Sequence, residues 1–167
     1  MAIVWIVPIV GIIAVLFALW LARDVLSRDT GTTAMQDIAD MIFEGAMAFL
    51  RRQYQTIAIL SVVVAVVIGL VVGLTATAVT DPLVTGAAAK SVGAGEQGAL
   101  AGIAFLVGAA CSAIAGYIGM YISVRSNLRT AAAAQRNLRA AITVALRGGA
   151  VSGFLVVALS LLGVSSI

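Results

Sequence analysis

Three acids, Asp37, Asp40 and Glu44, follow one another at spacings of three and four residues. On a helix that spacing stacks them along one face, an arrangement by which carboxylates hold a divalent cation. Five arginines, Arg125, Arg129, Arg136, Arg139 and Arg147, form a second cluster. Were residues 125–147 a single helix, these side chains would share a sector of about 80°, with Leu128, Leu138, Ile142 and Leu146 as an adjacent apolar stripe. A turn near Ser126-Asn127 would take Arg125 out of that sector. Such a face suits anionic headgroups or a phosphate-bearing ligand, because guanidinium groups grip phosphate oxygens in pairs. Each cluster also has a plainer reading, and that reading is preferred: the acids form a solvated face that offsets nearby arginines, and the arginines anchor a loop at a membrane surface.

Other familiar chemistry has no residues to carry it. The chain has no histidine, which removes the commonest general base and zinc ligand. Its one cysteine, Cys111, lies in an apolar run and can form no intramolecular disulfide. No phosphate-cradling Gly-Lys-Ser/Thr loop, nucleophile elbow or Cys/His ligand set occurs. From the residues alone, no catalytic, cofactor-binding or metal-ligating position is assigned.

The elements around these clusters are membrane elements. Apolar residues make up 62% of the 167 and charged residues 10%, with a mean hydropathy of +1.15. A soluble domain carries about 25% charged residues, so a water-soluble globule is excluded. So is a disordered chain, which needs charge to stay apart. The net charge of +3 does not indicate a nucleic-acid partner, because nearly all the cations sit in two segments between apolar runs.

Four stretches, 1–22, 53–80, 97–124 and 148–167, contain no Asp, Glu, Lys or Arg. Each reaches the roughly 20 residues a helix needs to cross the hydrocarbon layer. They predict spans at about 2–22, 54–76, 98–124 and 148–166, in a single transmembrane region covering 1–167. The first lacks a basic leader and is too long for a signal-peptide core, so it is read as a retained helix. No Asp, Glu, Lys, Arg or His falls inside a span, which argues against a small transporter working alone.

Loop 23–53 carries four arginines, loop 77–97 only Lys90, and loop 125–147 five arginines. The positive-inside rule then makes 23–53 and 125–147 cytoplasmic and 77–97 external, with a turn at Asp81-Pro82, and sets both chain ends outside. Within the first loop, Thr33 and Gln36 fit a capping box, and Met35, Ile38, Ile42, Ala46 and Phe49 share one face of a helix opposite the acids. That helix is expected to run unbroken into the second span. Small residues at four-residue spacing form ridges at Ala65, Gly69 and Gly73, at Gly108, Ser112 and Gly116, and at Gly149 and Gly153, each suited to close helix contact. The fold class is all-α integral membrane: four transmembrane helices with cytoplasmic helical extensions, part of a larger multi-helix bundle.

Three stretches carry a resemblance. Residues 35–40 (MQDIAD) with 44–54 (EGAMAFLRRQY), residues 116–131 (GYIGMYISVRSNLRTA) and residues 145–151 (ALRGGAV) resemble, in order and spacing, the amino-terminal region of membrane-bound, ion-pumping inorganic pyrophosphatases. The likeness runs over nearly the whole chain. It implies a usually homodimeric enzyme that hydrolyses Mg2+-bound pyrophosphate at the cytoplasmic face and moves H+ or Na+ outward, with K+ as an optional activator. It implies a multi-pass protein of the lipid bilayer, in a bacterial inner membrane, whose further partners are the remaining helices of the pump. The family's substrate-binding acids and lysines belong to later helices and have no matching positions here, so no site residue is carried over. The expectation is the amino-terminal part of such a pump, scaffold without the catalytic centre and inactive alone. The competing reading is a stand-alone four-helix structural or interaction protein, or a truncated pseudogene product.

Overall fold

A computed structural model describes residues 2–75 and 93–165, with the side chains of 2–5 excepted. The external loop expected at 77–97, with its Asp81-Pro82 turn, lies largely outside the described residues. The described residues form four helices: α1 (Ala2–Leu26), α2 (Thr33–Thr75), α3 (Ala94–Ala134) and α4 (Leu138–Ser165). All four are long and apolar enough to cross a membrane. At 1.5 Å per residue, the 43 residues of α2 and 41 of α3 extend about 60–65 Å, twice the ~30 Å hydrocarbon thickness. As expected, the loop helix and the apolar helix after it are one unbroken element.

The turn between α1 and α2 is built on Asp29 and Gly31. Gly31 adopts φ +75°, a left-handed conformation that costs glycine little, and its N–H donates to Asp29 Oδ1 at 3.0 Å. The expected capping box does not form. The first helical bond runs from Gln36 N–H to the Thr32 carbonyl, so the helix is capped one residue earlier. Gln36 Nε2 instead donates to Thr30 Oγ1 at 3.1 Å and to the Gly31 carbonyl at 3.2 Å. The tight Asp29–Gly31 turn brings those acceptors over the first helical turn, within reach of the amide.

The chain divides into two compact units. The first, Met1–Tyr54 with Ala110–Ile167, holds a core of Ala18, Leu21 and Ala22 on α1, Ala115 and Ile122 on α3, and Val151 and Leu155 on α4. The inward residues of α4 alternate at spacings of three and four, from Ala141, Val144 and Gly148 to Val151, Leu155 and Ala158, the rhythm of helices packed at a shallow angle. Gly148 meets Ser126, and a Cβ there would collide with the Ser126 hydroxyl. On α2 the inward stripe is Met35, Ala39, Phe43, Ala46, Met47 and Leu50, with Phe43 edge-on to Tyr121 at 5.6 Å. Three members of the apolar face read from periodicity, Ile38, Ile42 and Phe49, are instead more than half exposed. The helix carries two apolar stripes, and periodicity alone does not say which one meets the fold.

In the second unit, Gln55–Ala109, the ridge Ala65-Gly69-Gly73 does what its spacing predicts. It runs antiparallel to Ala94, Gly98 and Gly102, and the two backbones come close enough that a Cβ at Gly69 would lie 3.1 Å from the Gly98 carbonyl oxygen. The other ridges differ. Among the described residues nothing comes within 4 Å of a Cβ added at Gly108, Gly149 or Gly153, while Gly116 faces only the Tyr54 hydroxyl at 2.8 Å.

Candidate functional site

The segment 125–147 is not one helix. α3 runs straight through Ser126-Asn127 to Ala134, and a turn at 135–137 separates it from α4. Asn137 makes this break: its side-chain carbonyl accepts from Ala140 N–H at 2.7 Å, which caps α4 and starts a new helix direction. The single arginine sector is therefore lost, and each arginine finds its own surroundings.

Arg129 is buried, with 9% of its surface exposed. Its Nε and Nη2 both donate to the Leu26 carbonyl, at 3.2 and 2.9 Å, and Nη1 donates to the Arg125 carbonyl at 2.9 Å. The fork thus caps the carboxyl end of α1, where a cation also suits the helix dipole. Burial, and then the neighbouring Arg125, lower its pKa. Arg125 lies over the Phe43 ring at 4.6 Å and the Tyr121 ring at 5.3 Å, and its buried Nε has no hydrogen-bond partner among the described residues.

Arg147 and Arg28 converge on one carboxylate. Asp24 Oδ2 accepts from Arg147 Nη1 at 2.7 Å and from Arg28 Nη2 at 3.0 Å. Asp29 pairs with Arg136 across the two turns. Arg139 is exposed. Sequence reasoning passed over Asp24 and Asp29, although Asp24 with Arg28 at four-residue spacing is the ordinary signal of a helical ion pair.

The hydrogen bond from Arg147 is the largest influence holding the Asp24 carboxyl below its ordinary pKa; desolvation opposes it and Arg28 reinforces it. A group with a lowered folded pKa contributes stability above its unfolded value and loses it as pH falls through the folded one. Asp24→Asn is therefore expected to lower the melting temperature at pH 7. The gap to wild type should close as the pH falls below about 4. Thermal unfolding of both proteins across that range measures it, and a gap independent of pH would contradict the pairing.

Between these helix ends lies a cavity of about 180 Å³, lined by the charged Arg28, Asp29, Arg129 and Arg136 and the apolar Ala132, Ala133, Ala140 and Val144. A second pocket of about 20 Å³ lies among Asp40, Phe43, Arg125 and Arg129, with room for about one water. The three acids of the first cluster, Asp37, Asp40 and Glu44, are exposed along α2. Among the described residues, no three of His, Cys, Asp and Glu gather around one point.

The stretches that carried the resemblance meet one another here. Tyr54 of the first meets Tyr117 of the second edge-on, and Phe43, in the gap between the two parts of the first, contacts Tyr121 and Arg125 of the second. Gly148 of the third abuts Ser126 of the second.

A family model described as inorganic H+ pyrophosphatase matches residues 12–167. A K(+)-insensitive pyrophosphate-energized proton pump 2 from Moorella thermoacetica is 47% identical over 97% of this chain and 20% of its own length. A K(+)-insensitive pyrophosphate-energized proton pump from Methanosarcina mazei is 39% identical over 96% of this chain and 20% of its own. A pyrophosphate-energized membrane proton pump 3 from Arabidopsis thaliana is 37% identical over 94% and 19%. The chain spans about a fifth of the length of these relatives. No solved structure matches it significantly.

Proposed function

Because the chain belongs to the inorganic H+ pyrophosphatase family and is a multi-pass membrane protein, we propose that it supplies scaffold helices of a pump in which pyrophosphate hydrolysis drives H+ outward. The observation that carries this reading is the 47% identity, over 97% of the chain, to a relative named as such a pump. Its motif residues act mainly by holding helices together: Tyr121 against Phe43, Tyr54 donating to the Ala113 carbonyl at 2.9 Å, Arg147 on Asp24. The names of two relatives favour H+ over Na+ and independence from K+. The described acids do not come together in a set that fits Mg2+. The hydrolytic centre would then lie in helices beyond these 167 residues, and this chain alone would be inactive. The exposed apolar side chains would face lipid, the remaining helices, or a second copy in a homodimer.

The test is a chimera in which these residues replace the matching fifth of the Moorella thermoacetica pump. Pyrophosphate hydrolysis and proton uptake by inside-out vesicles should persist in the chimera, while this chain alone hydrolyses nothing. A chimera that inserts and folds normally yet is inactive would overturn the scaffold reading.

The proposed topology places spans at 2–22, 54–76, 98–124 and 148–166 in a bacterial inner membrane, with 23–53 and 125–147 in the cytoplasm and both ends of the chain outside. The expected result for Asp37→Cys is labelling by a membrane-impermeant maleimide in inside-out vesicles and protection in whole cells. Labelling from the outside would reverse the orientation.

A further inference from the structure

The cavity at the helix ends has a charge that its own side chains leave unbalanced. Three cations, Arg28, Arg129 and Arg136, line it beside one acid, Asp29, and Arg28 also shares Asp24 with Arg147 outside the lining. Arg129 is the decisive member. It is nine-tenths buried, its donors go to carbonyl oxygens, and among the described residues no carboxylate pairs with it. A buried cation held only by neutral acceptors carries a desolvation cost that a nearby anion would relieve. It forms one wall of a cavity of about 180 Å³, far above the roughly 10–15 Å³ a single water needs. Arg136 lines the same cavity, and its pair with Asp29 is exposed on both sides and therefore cheap to exchange. With the spans proposed above, Arg28 and Ala140 lie six and eight residues beyond the charge-free stretches. That is about 9–12 Å along the helices, just outside the hydrocarbon, where lipid headgroups and cytoplasmic solutes both reach.

We propose that this cavity binds a phosphate group, gripped by Arg28, Arg129 and Arg136, with the phosphate supplied either by an anionic lipid headgroup or by a free phosphate ion. Guanidinium forks match tetrahedral oxyanions in geometry and charge. Asp29 is the internal competitor that holds Arg136 when the anion is absent. The site does not depend on where pyrophosphate is hydrolysed, so its failure would leave the scaffold reading intact.

The experiment uses the 167-residue chain in nanodiscs of phosphatidylcholine alone, of phosphatidylcholine with phosphatidylglycerol, and of phosphatidylcholine with inorganic phosphate titrated in. Lipid retained on release is read by native mass spectrometry, phosphate affinity by thermal shift, and helicity by circular dichroism as the folding control. Arg136→Gln and Arg28→Gln should weaken binding about tenfold each. Asp29→Asn should tighten it several-fold, because the amide oxygen can still accept from Gly31 N–H while the competing charge is gone. A merely structural role for Asp29 would not produce that gain. Arg139→Gln should change nothing. Retained phosphatidylglycerol without a phosphate shift assigns the headgroup as the source, and the converse assigns the free ion; both support the site. Folded protein that holds neither, or binding indifferent to Asp29→Asn and Arg136→Gln, overturns it.

Discussion

Gly98→Leu is expected to destabilise the chain by about 3 kcal/mol or more, the upper part of the range for overpacked sites. A Cβ at this position would fall against the Gly69 carbonyl oxygen and 2.9 Å from the Gly73 nitrogen and Cα. Those neighbours are backbone on a facing helix, so no side chain can swing aside. Relief requires the paired segments of α2 and α3 to separate, which forfeits the close approach along Ala65, Gly69 and Gly73. Gly108→Leu is the control, because a Cβ there meets nothing within 4 Å and leucine is the better helix former. Heating the two variants in detergent and following monodispersity measures the difference. Equal survival of Gly98→Leu and Gly108→Leu would show that the backbones need not touch. The smaller Gly98→Ala should already be harmful, since even one carbon has no room.

That pairing shows what the sequence could disclose. The spacing of Ala65, Gly69 and Gly73 identifies a ridge, and the length of the charge-free stretches identifies four helices, because the bilayer and the close approach of backbones impose lengths and spacings that read directly in one dimension. The partner ridge at Gly98 and Gly102 is equally periodic, yet nothing in a single helix says which neighbour it meets. The same gap explains α2. Ile38, Ile42 and Phe49 make a fair apolar face, but Phe43 and Leu50 are the residues turned inward, because Tyr121 and its neighbours on α3 offer the complementary surface. The arginine cluster was visible as composition and misleading as geometry. Asn137 has neither the glycine nor the proline that usually marks a break, and its cap is a single side-chain bond. Once the chain turns there, long guanidinium stems reach across to Leu26, Asp24 and Asp29, contacts separated by 103 to 123 positions that no local spacing encodes.

Arg129→Leu is the second large effect expected, and two opposed terms decide it. Removing the guanidinium deletes three hydrogen bonds made by a charged donor, each worth about 1.5–3 kcal/mol, and leaves the Leu26 carbonyl at the end of α1 without that cap. The same change removes a buried cation that has no carboxylate partner among the described residues and stands beside Arg125, which recovers several kcal/mol of desolvation and like-charge cost. Two of the three hydrogen bonds are 2.9 Å long, and the fork grips one carbonyl with two donors, so the loss should win by about 2 kcal/mol. Arg129→Lys should fall in between, because an ammonium keeps the charge but cannot reproduce the fork. Thermal unfolding in buffer free of phosphate and of anionic lipid isolates these terms. Adding phosphatidylglycerol or phosphate should then raise the melting temperature of the wild type and leave that of Arg129→Leu nearly unchanged. If Arg129→Leu equals or exceeds the wild type in stability without the anion, the clamp on α1 is not what the arginine is for. A wild type that still gains stability with the anion would then identify the buried charge as one kept for its ligand.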